Sequence, residues 1–219
     1  MDLSEIRQCL DSEDSQDRMR AITALRSYDA ETAVPLLCGK IRDPEFLIRS
    51  FIAMGLGRKR TAQAFEALLI LLEDVDANVR AEASSALALY GDRAFPHLLA
   101  MFNQDQHWLV RRSILAALGE VEQPDILLRL CVAATQDGDL TVRETTALML
   151  GQFAQTKFQT TALDQLLRLA QVDEAMVRAA AARSLRQYDL HQAREALCQL
   201  QRDPDHRVVA AVLEGLVEN

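Results

Sequence analysis

The chain has 219 residues, 49% of them hydrophobic but only 5% aromatic, and a formal net charge of -8. That charge argues against a duplex-binding surface, because nucleic-acid affinity rests largely on neutralised phosphates, and equally against an anionic membrane surface. No apolar run approaches the roughly 20 residues of a membrane span. The start, MDLSEIRQCL, lacks the basic residues and apolar run of a secretion signal, so a cytoplasmic protein with no membrane insertion is expected.

A core built from Ala and Leu favours closely packed helices. In chain order, residues 4–10 read as a short opening helix with Leu3, Ile6 and Leu10 on one side, and 11–17 as a polar turn. A first Arg-bearing helix runs on to Tyr28. A helix over 31–41 follows, with Val34, Leu37, Cys38 and Ile41 at the spacing of an amphipathic face and Pro35 in its first turn. Asp43-Pro44-Glu45 reads as a helix start, Asp43 as N-cap and Pro44 at the first helical position, and the helix after it is expected to stop at Gly57. Helices are then expected over 62–72, 77–90, 93–102, 108–121, 124–135 and 141–153. A polar loop over 154–161 leads to helices over 162–170, 175–188, 191–201 and 206–217. That makes about fourteen helices in seven hairpins, near 3–28, 31–57, 62–90, 93–121, 124–153, 162–188 and 191–218, in a single domain over 1–219. There is no strand signal.

One grammar recurs in every hairpin. With Arg111 as the zero of the register, the equivalent positions are Arg18, Arg49, Arg80, Arg143, Arg178 and Val209, spaced 31, 31, 31, 32, 35 and 31 residues apart. Position +7 is always Leu: Leu25, Leu56, Leu87, Leu118, Leu150, Leu185 and Leu216. Position +6 is mostly small, as in Ala24, Gly55, Ala86 and Gly215, which marks close helix contact. A fixed period of this length is the signature of a stacked array in which each unit buries its apolar face against its neighbours. Position -6 is Asp43, Asp74, Asp105, Asp137 or Asp203, and position -4 is acidic in every unit but one, where helix N-termini favour carboxylates. The Arg, one turn further in, can reach a carboxylate of its own or the next unit, so stacking strings these pairs into a ladder; Val209 closes the series, with no later unit to bind. Tyr28, Tyr90 and Tyr188 share position +10 and read as helix-end packing. Cys38, Cys131 and Cys198 share position +20; these and Cys9 read as buried thiols rather than bridges or metal ligands.

Function is expected where the rule breaks. His107 replaces the acid of position -4, and Trp108 beside it is the only Trp of the chain. Arg111 and Arg112 follow one turn on. An aromatic platform beside cations suits a flat, carboxylate-bearing ligand or an acidic partner surface, against the plainer reading that Trp108 fills a gap between units and His107 caps a helix. Residues one, two and five after the Arg are expected to line an inner groove; among them Phe51 and Met54 are apolar where solvent is expected, with Glu82 alongside. The final helix, RVVAAVLEGLV, is weakly polar for a terminal cap and hints at a homodimer through this segment. Enzymatic signals are few: no nucleophile motif, no phosphate loop, scattered His residues, no metal cluster, and no His-Glu dipeptide of the kind used by a di-iron hydroxylase built on similar repeats.

The unit D-x-D-x-x-V-R followed by Ala and Leu-Gly, as in DANVRAEASSALALYGD and HWLVRRSILAALGE, resembles the HEAT-like repeat of the phycobilin lyase family over residues 12 to 219, closest to its phycobilisome-degradation (non-bleaching) branch. The resemblance implies a right-handed, all-α solenoid. It also implies a protein that binds phycobiliproteins or their linear tetrapyrrole, acting in bilin attachment, detachment or phycobilisome turnover. Phycocyanobilin would be a transient ligand with no covalently bound cofactor, and any activity would be bilin lyase-like. Arg111 and Arg112 would then lie near the propionates and Trp108 against the rings. The competing expectation is a non-catalytic scaffold that recognises a protein through its inner face.

Overall fold

The computed structural model describes residues 1–121 and 123–214. Among these it contains fourteen α-helices, three short 3₁₀ turns and no strand. Residues 1–117 form one compact unit and the chain from Leu118 onward forms another.

The first unit holds α1 (Leu3–Leu10), α2 (Ser15–Ala24), α3 (Ala30–Cys38), α4 (Phe46–Lys59), α5 (Ala62–Leu72), α6 (Ala77–Ala88), α7 (Phe95–Gln104) and most of α8 (Trp108–Gly119). Within it α1 packs on α2, α3 on α4 and α5 on α6, while the second helices also pack on one another, α2 on α4 and α4 on α6. The second unit repeats this with α9 (Pro124–Ala134), α10 (Leu140–Leu150), α11 (Gln159–Leu169), α12 (Ala175–Leu185), α13 (His191–Leu200) and α14 (His206–Leu213). There α12 lies between α10 and α14.

The register explains the core. Leu25, Leu56, Leu87, Leu118, Leu150 and Leu185 at +7, and Ile48, Val79, Val110, Val142, Val177 and Val208 at -1, are all fully buried. Gly215, Leu216 and Val217, assigned to the last helix from sequence, lie outside the described residues.

The charge ladder forms as the repeat requires. Arg18 Nε and Nη2 donate to Asp43 at 2.8 and 3.1 Å, Arg49 to Asp74 at 2.7 and 2.7 Å, Arg80 to Asp105 at 2.6 and 3.1 Å, and Arg178 to Asp203 at 2.7 and 2.8 Å. The third nitrogen, Nη1, turns back to the carbonyl of its own position -6: Ser12, Asp43, Asp74 and Val172. The planar fork thus ties a turn to its own helix and to the next hairpin in one group.

This arrangement corrects the reading of Asp43 as N-cap. Position -6 is committed to the preceding Arg and accepts the Glu45 N–H at 3.0 Å, so Pro44 lies in the turn and Glu45 is the N-cap of α4. In the Arg-bearing helices α2, α6, α10 and α14 the cap is the side chain of position -4: Asp14, Asp76, Asp139 and Asp205 each accept an N–H two residues on. Gly57 does not end α4 either, which runs on to Lys59 with Arg60 as its left-handed cap at φ 49°. A Cβ on Gly57 would sit 2.7 Å from Ala86 Cβ, so glycine is there for close approach of α6. Gly151 faces Ser184 of α12 in the same register, at 2.9 Å from Oγ. Pro35 falls inside α3, beyond its first turn, because Asp29 caps the helix and starts it at Ala30, one residue earlier than the sequence suggests. The loop expected over 154–161 is shorter, with α11 starting at Gln159.

Tyr90 and Tyr188 donate to the carbonyls of Leu56 and Leu150, the +7 leucines of the preceding hairpins, at 3.3 and 2.6 Å, and Tyr28 donates to Met1 at 2.9 Å. All four thiols are free. Cys131 is buried, and loss of solvent pushes its pKa up to about 12. The other three depart from the expected burial: Cys9 and Cys38 are partly exposed and Cys198 is exposed.

Candidate functional site

A groove of about 330 Å³ opens on the face shared by the second helices of the first unit. One wall comes from α4, with Phe46, Leu47, Phe51 and Met54. The opposite side comes from α8, with Leu109 and Ser113. Between them α6 supplies Asn78, Ala81, Glu82 and Ser85. These are positions -2, +1, +2 and +5 of the repeat, with Phe46 at -3: one helical stripe read on three successive helices.

Two features make the groove unlike a solvated helix face. Phe46 is 43% exposed and Leu47 50%, so large apolar side chains stand at its rim. Its one charged lining group, Glu82, is half-buried, and burial raises its pKa against the opposing pull of Arg58. Among the described residues no group donates a hydrogen bond to the Glu82 carboxyl. Ser50 and Ser85 donate to the carbonyls of Phe46 and Ala81, and the Asn78 amide donates to Asp76, so the polar lining is turned back into its own helices.

Of the residues singled out from sequence, Phe51, Met54 and Glu82 meet in this groove. His107 does not. It lies with Leu72, Asp74, Arg80 and Asp105 along a shallower depression of about 550 Å³ at the turns. There His107 Nδ1 accepts the Leu109 N–H at 3.3 Å, doing for α8 what the aspartates of position -4 do elsewhere. Trp108 stacks on the imidazole, with ring centroids 5.9 Å apart, and remains 36% exposed. It occupies position -3, as Phe46 does. Arg111 Nη1 donates to the Asp105 carbonyl at 2.9 Å, the ladder geometry of its register mates, while Arg112 is exposed at +1 on the groove side of the register. Sequence reasoning passed over Leu47 and Leu109, although position -2 precedes +2 by one turn and shares its face. Among the described residues no cluster of His, Cys, Asp or Glu has the geometry of a metal site. Among the described residues no helix is long and apolar enough to cross a membrane.

No curated protein matches the chain significantly. Solved structures do. YibA of Escherichia coli aligns over 100% of this chain and 87% of its own, at 19% identity and a TM-score of 0.66. The complex of CpcE and CpcF of phycocyanin lyase from Nostoc sp. aligns over 100% and 88%, at 21% and 0.56. Kap95p, solved bound to RanGDP, aligns over 96% of this chain but 34% of its own, at 14% and 0.65. At such identities the likeness is one of fold, an all-α solenoid of paired helices. The profile of HEAT repeats matches residues 3–88, 40–119, 95–171 and 127–217. With that profile covering nearly every residue, the chain belongs to the HEAT repeat family.

Proposed function

We propose that the chain is a non-catalytic scaffold that recognises a protein partner through the groove on α4, α6 and α8. The observation that carries this reading is the pairing of a solvent-facing apolar rim, Phe46 and Leu47, with a carboxylate that receives no donor among the described residues. Exposed apolar surface around a desolvated polar group has the anatomy of an interface core. Leu47→Asp tests it, since this side chain is half exposed and its replacement leaves the core intact. The variant is expected to fold normally and to lose partners that the native chain cross-links in a phycobilisome-containing lysate. Equal capture by both proteins would refute the groove as the working surface.

A finer reading makes that partner a phycobiliprotein or its tetrapyrrole, in bilin attachment or detachment or in phycobilisome turnover. It is supported by the repeat sequence DANVRAEASSALALYGD and by the likeness of fold to the CpcE and CpcF chains over the whole length. The groove's charge favours a protein surface over a free bilin, because propionates would meet Glu82 with the same sign and no Arg or Lys lines the walls. Titration with phycocyanin and, separately, phycocyanobilin decides it, read as bilin absorbance and Trp108 fluorescence. An unchanged spectrum in both removes the reading and leaves the scaffold intact.

A further inference from the structure

We infer that the groove receives an amphipathic α-helix of the partner, lying along α6, with an apolar stripe against Leu47, Phe51, Met54 and Leu109 and a lysine or arginine facing Glu82. This rests on the scaffold reading and specifies its ligand.

The shape comes first. Adjacent packed helices lie about 8–10 Å apart, so α4 and α8 stand roughly two spacings apart across α6. An α-helix with side chains is about 10–12 Å across, so one laid over α6 can touch side chains of both α4 and α8. The α4 wall is the bulkier, since it presents Leu47 and Met54 where α6 presents Asn78 and Ser85, and Glu82 stands where α4 has Phe51.

The backbone chemistry of the occupant comes next. An extended peptide needs partners for its own N–H and C=O groups once it enters an apolar groove. The described residues contain no strand whose edge could supply them, and Ser50, Ser85 and Asn78 already direct donors into their own helices. A helix satisfies its backbone internally and asks only for side-chain contacts.

Charge then fixes one feature of its sequence. Glu82 stands among apolar side chains with no donor from its own chain among the described residues, and the nearest cation acting on it, Arg58, makes no hydrogen bond to it. A neutral donor would leave the negative charge uncompensated on closure, whereas a lysine or arginine supplies a charge-assisted bond. The net charge of -8 steers the same class of partner.

The test uses the full chain, immobilised, and two displayed peptide libraries. One holds helix-stabilised peptides with a fixed apolar stripe and randomised flanking positions. The other holds unstructured peptides of equal length. Helical binders should be enriched that carry Lys or Arg at one register position, and Leu47→Asp should abolish their binding. Selection against Glu82→Lys, whose folding is checked by circular dichroism, should enrich Asp or Glu at that position instead. Reversing the selected charge in a synthetic binder should weaken it about tenfold or more on the native chain and restore it on Glu82→Lys. Helical binders indifferent to the charge of residue 82 overturn the inference. Groove-dependent binders from the unstructured library alone overturn it too, but leave the scaffold reading standing. Binders from neither library that respond to Leu47→Asp overturn both.

Discussion

Arg143 holds Glu174 through its two terminal nitrogens, at 3.2 and 2.9 Å, and leaves its Nε buried without a partner among the described residues. In the rungs of Arg18, Arg49, Arg80 and Arg178, where the next unit offers an aspartate at position -6, Nε and Nη2 both bind it. Here that position is Val172, and the fork slips to the acid of position -4. Glu174, like Glu45 at the start of α4, makes no side-chain cap.

Val172→Asp should complete the rung. A new carboxylate would accept from Nε and Nη2, while the 172 carbonyl keeps its bond from Arg178. A hydrogen bond between charged groups is worth about 1.5–3 kcal/mol, part of which desolvation of the new carboxylate offsets, so a gain of about 1 kcal/mol in urea unfolding is expected. An equally large loss of stability would mean that Val172 is needed for packing and that the rung is not short of a partner.

The intact rungs set the acid limb of stability. Asp74 and Asp105 lie in partial burial that alone would raise their pKa, yet hydrogen bonds from Arg49 and Arg80 and from a turn N–H hold them below the usual 3.8. For Asp203 the Arg178 hydrogen bond is the leading cause of the same downward shift. Depressed carboxylates give stability that is whole above the unfolded value of 3.8 and is lost as pH falls through the folded values. Unfolding free energy should therefore be nearly flat between pH 7 and 5 with respect to these groups and drop steeply below pH 3.8. Asp203→Asn should lower stability at pH 7 by about 1–3 kcal/mol and flatten the acid limb. A variant that loses stability with an unchanged acid slope would uncouple the ladder from the titration.

Gly57→Ala pits helix propensity against packing. Alanine favours a helix interior by up to about 1 kcal/mol, but its Cβ would meet Ala86 Cβ at 2.7 Å and Cα at 3.0 Å, so α4 and α6 must separate. Net destabilisation of about 1–3 kcal/mol is expected from overpacking. Gly138→Ala, in the turn before α10, is the control for a methyl group that meets nothing, since nothing stands within 4 Å of its added Cβ. Thermal unfolding checks the prediction, and an unchanged Tm for Gly57→Ala would show that the helices give way freely.

The same glycine marks what the sequence could tell. Positions such as Leu56 and Val79 were legible because each is buried in the same way in every hairpin, and repetition multiplies a weak signal. Gly57 was misread as a stop because the contact that needs it comes from Ala86 in the next hairpin, outside any local pattern. The groove was half legible: Phe51, Met54 and Glu82 were picked from their offset to the Arg, while Leu47 and Leu109 share that face one turn earlier. His107 shows the limit of reading function from a broken rule. The break is real, but position -4 lies at the turn, and the imidazole performs the duty of the acid it replaced.

His107→Asp follows from that geometry. Its Nδ1 accepts the Leu109 N–H at 3.3 Å, whereas Asp14, Asp76, Asp139 and Asp205 make the equivalent bond at 2.8, 2.8, 2.8 and 2.9 Å. A carboxylate there should shorten the bond and meet the positive end of the helix dipole, for a gain of about 0.5–1 kcal/mol in unfolding free energy. Partner capture should be unaffected. A stabilised variant that no longer binds would place the imidazole in the interface.

Glu82→Gln separates stability from binding. Burial raises the Glu82 pKa above its ordinary 4.5, more than Arg58 lowers it, so folding with the carboxylate charged costs free energy that folding with it neutral does not. Such a group adds to stability below its unfolded value and subtracts from it as pH rises through the folded one. At pH 7 the glutamine variant should be more stable than the native chain. The gain is expected to stay below about 1 kcal/mol because the side chain keeps substantial solvent contact. Below pH 4.5 the difference should fade, since the native residue is then protonated in both states. A stabilising replacement left unused in a groove wall is what a binding role explains, since interfaces keep groups that the free protein would do better without. The variant should therefore gain in urea unfolding at pH 7 and lose affinity for helical binders that carry a basic residue. A glutamine variant that gains stability and binds those peptides as tightly as the native chain would show the carboxylate to be idle.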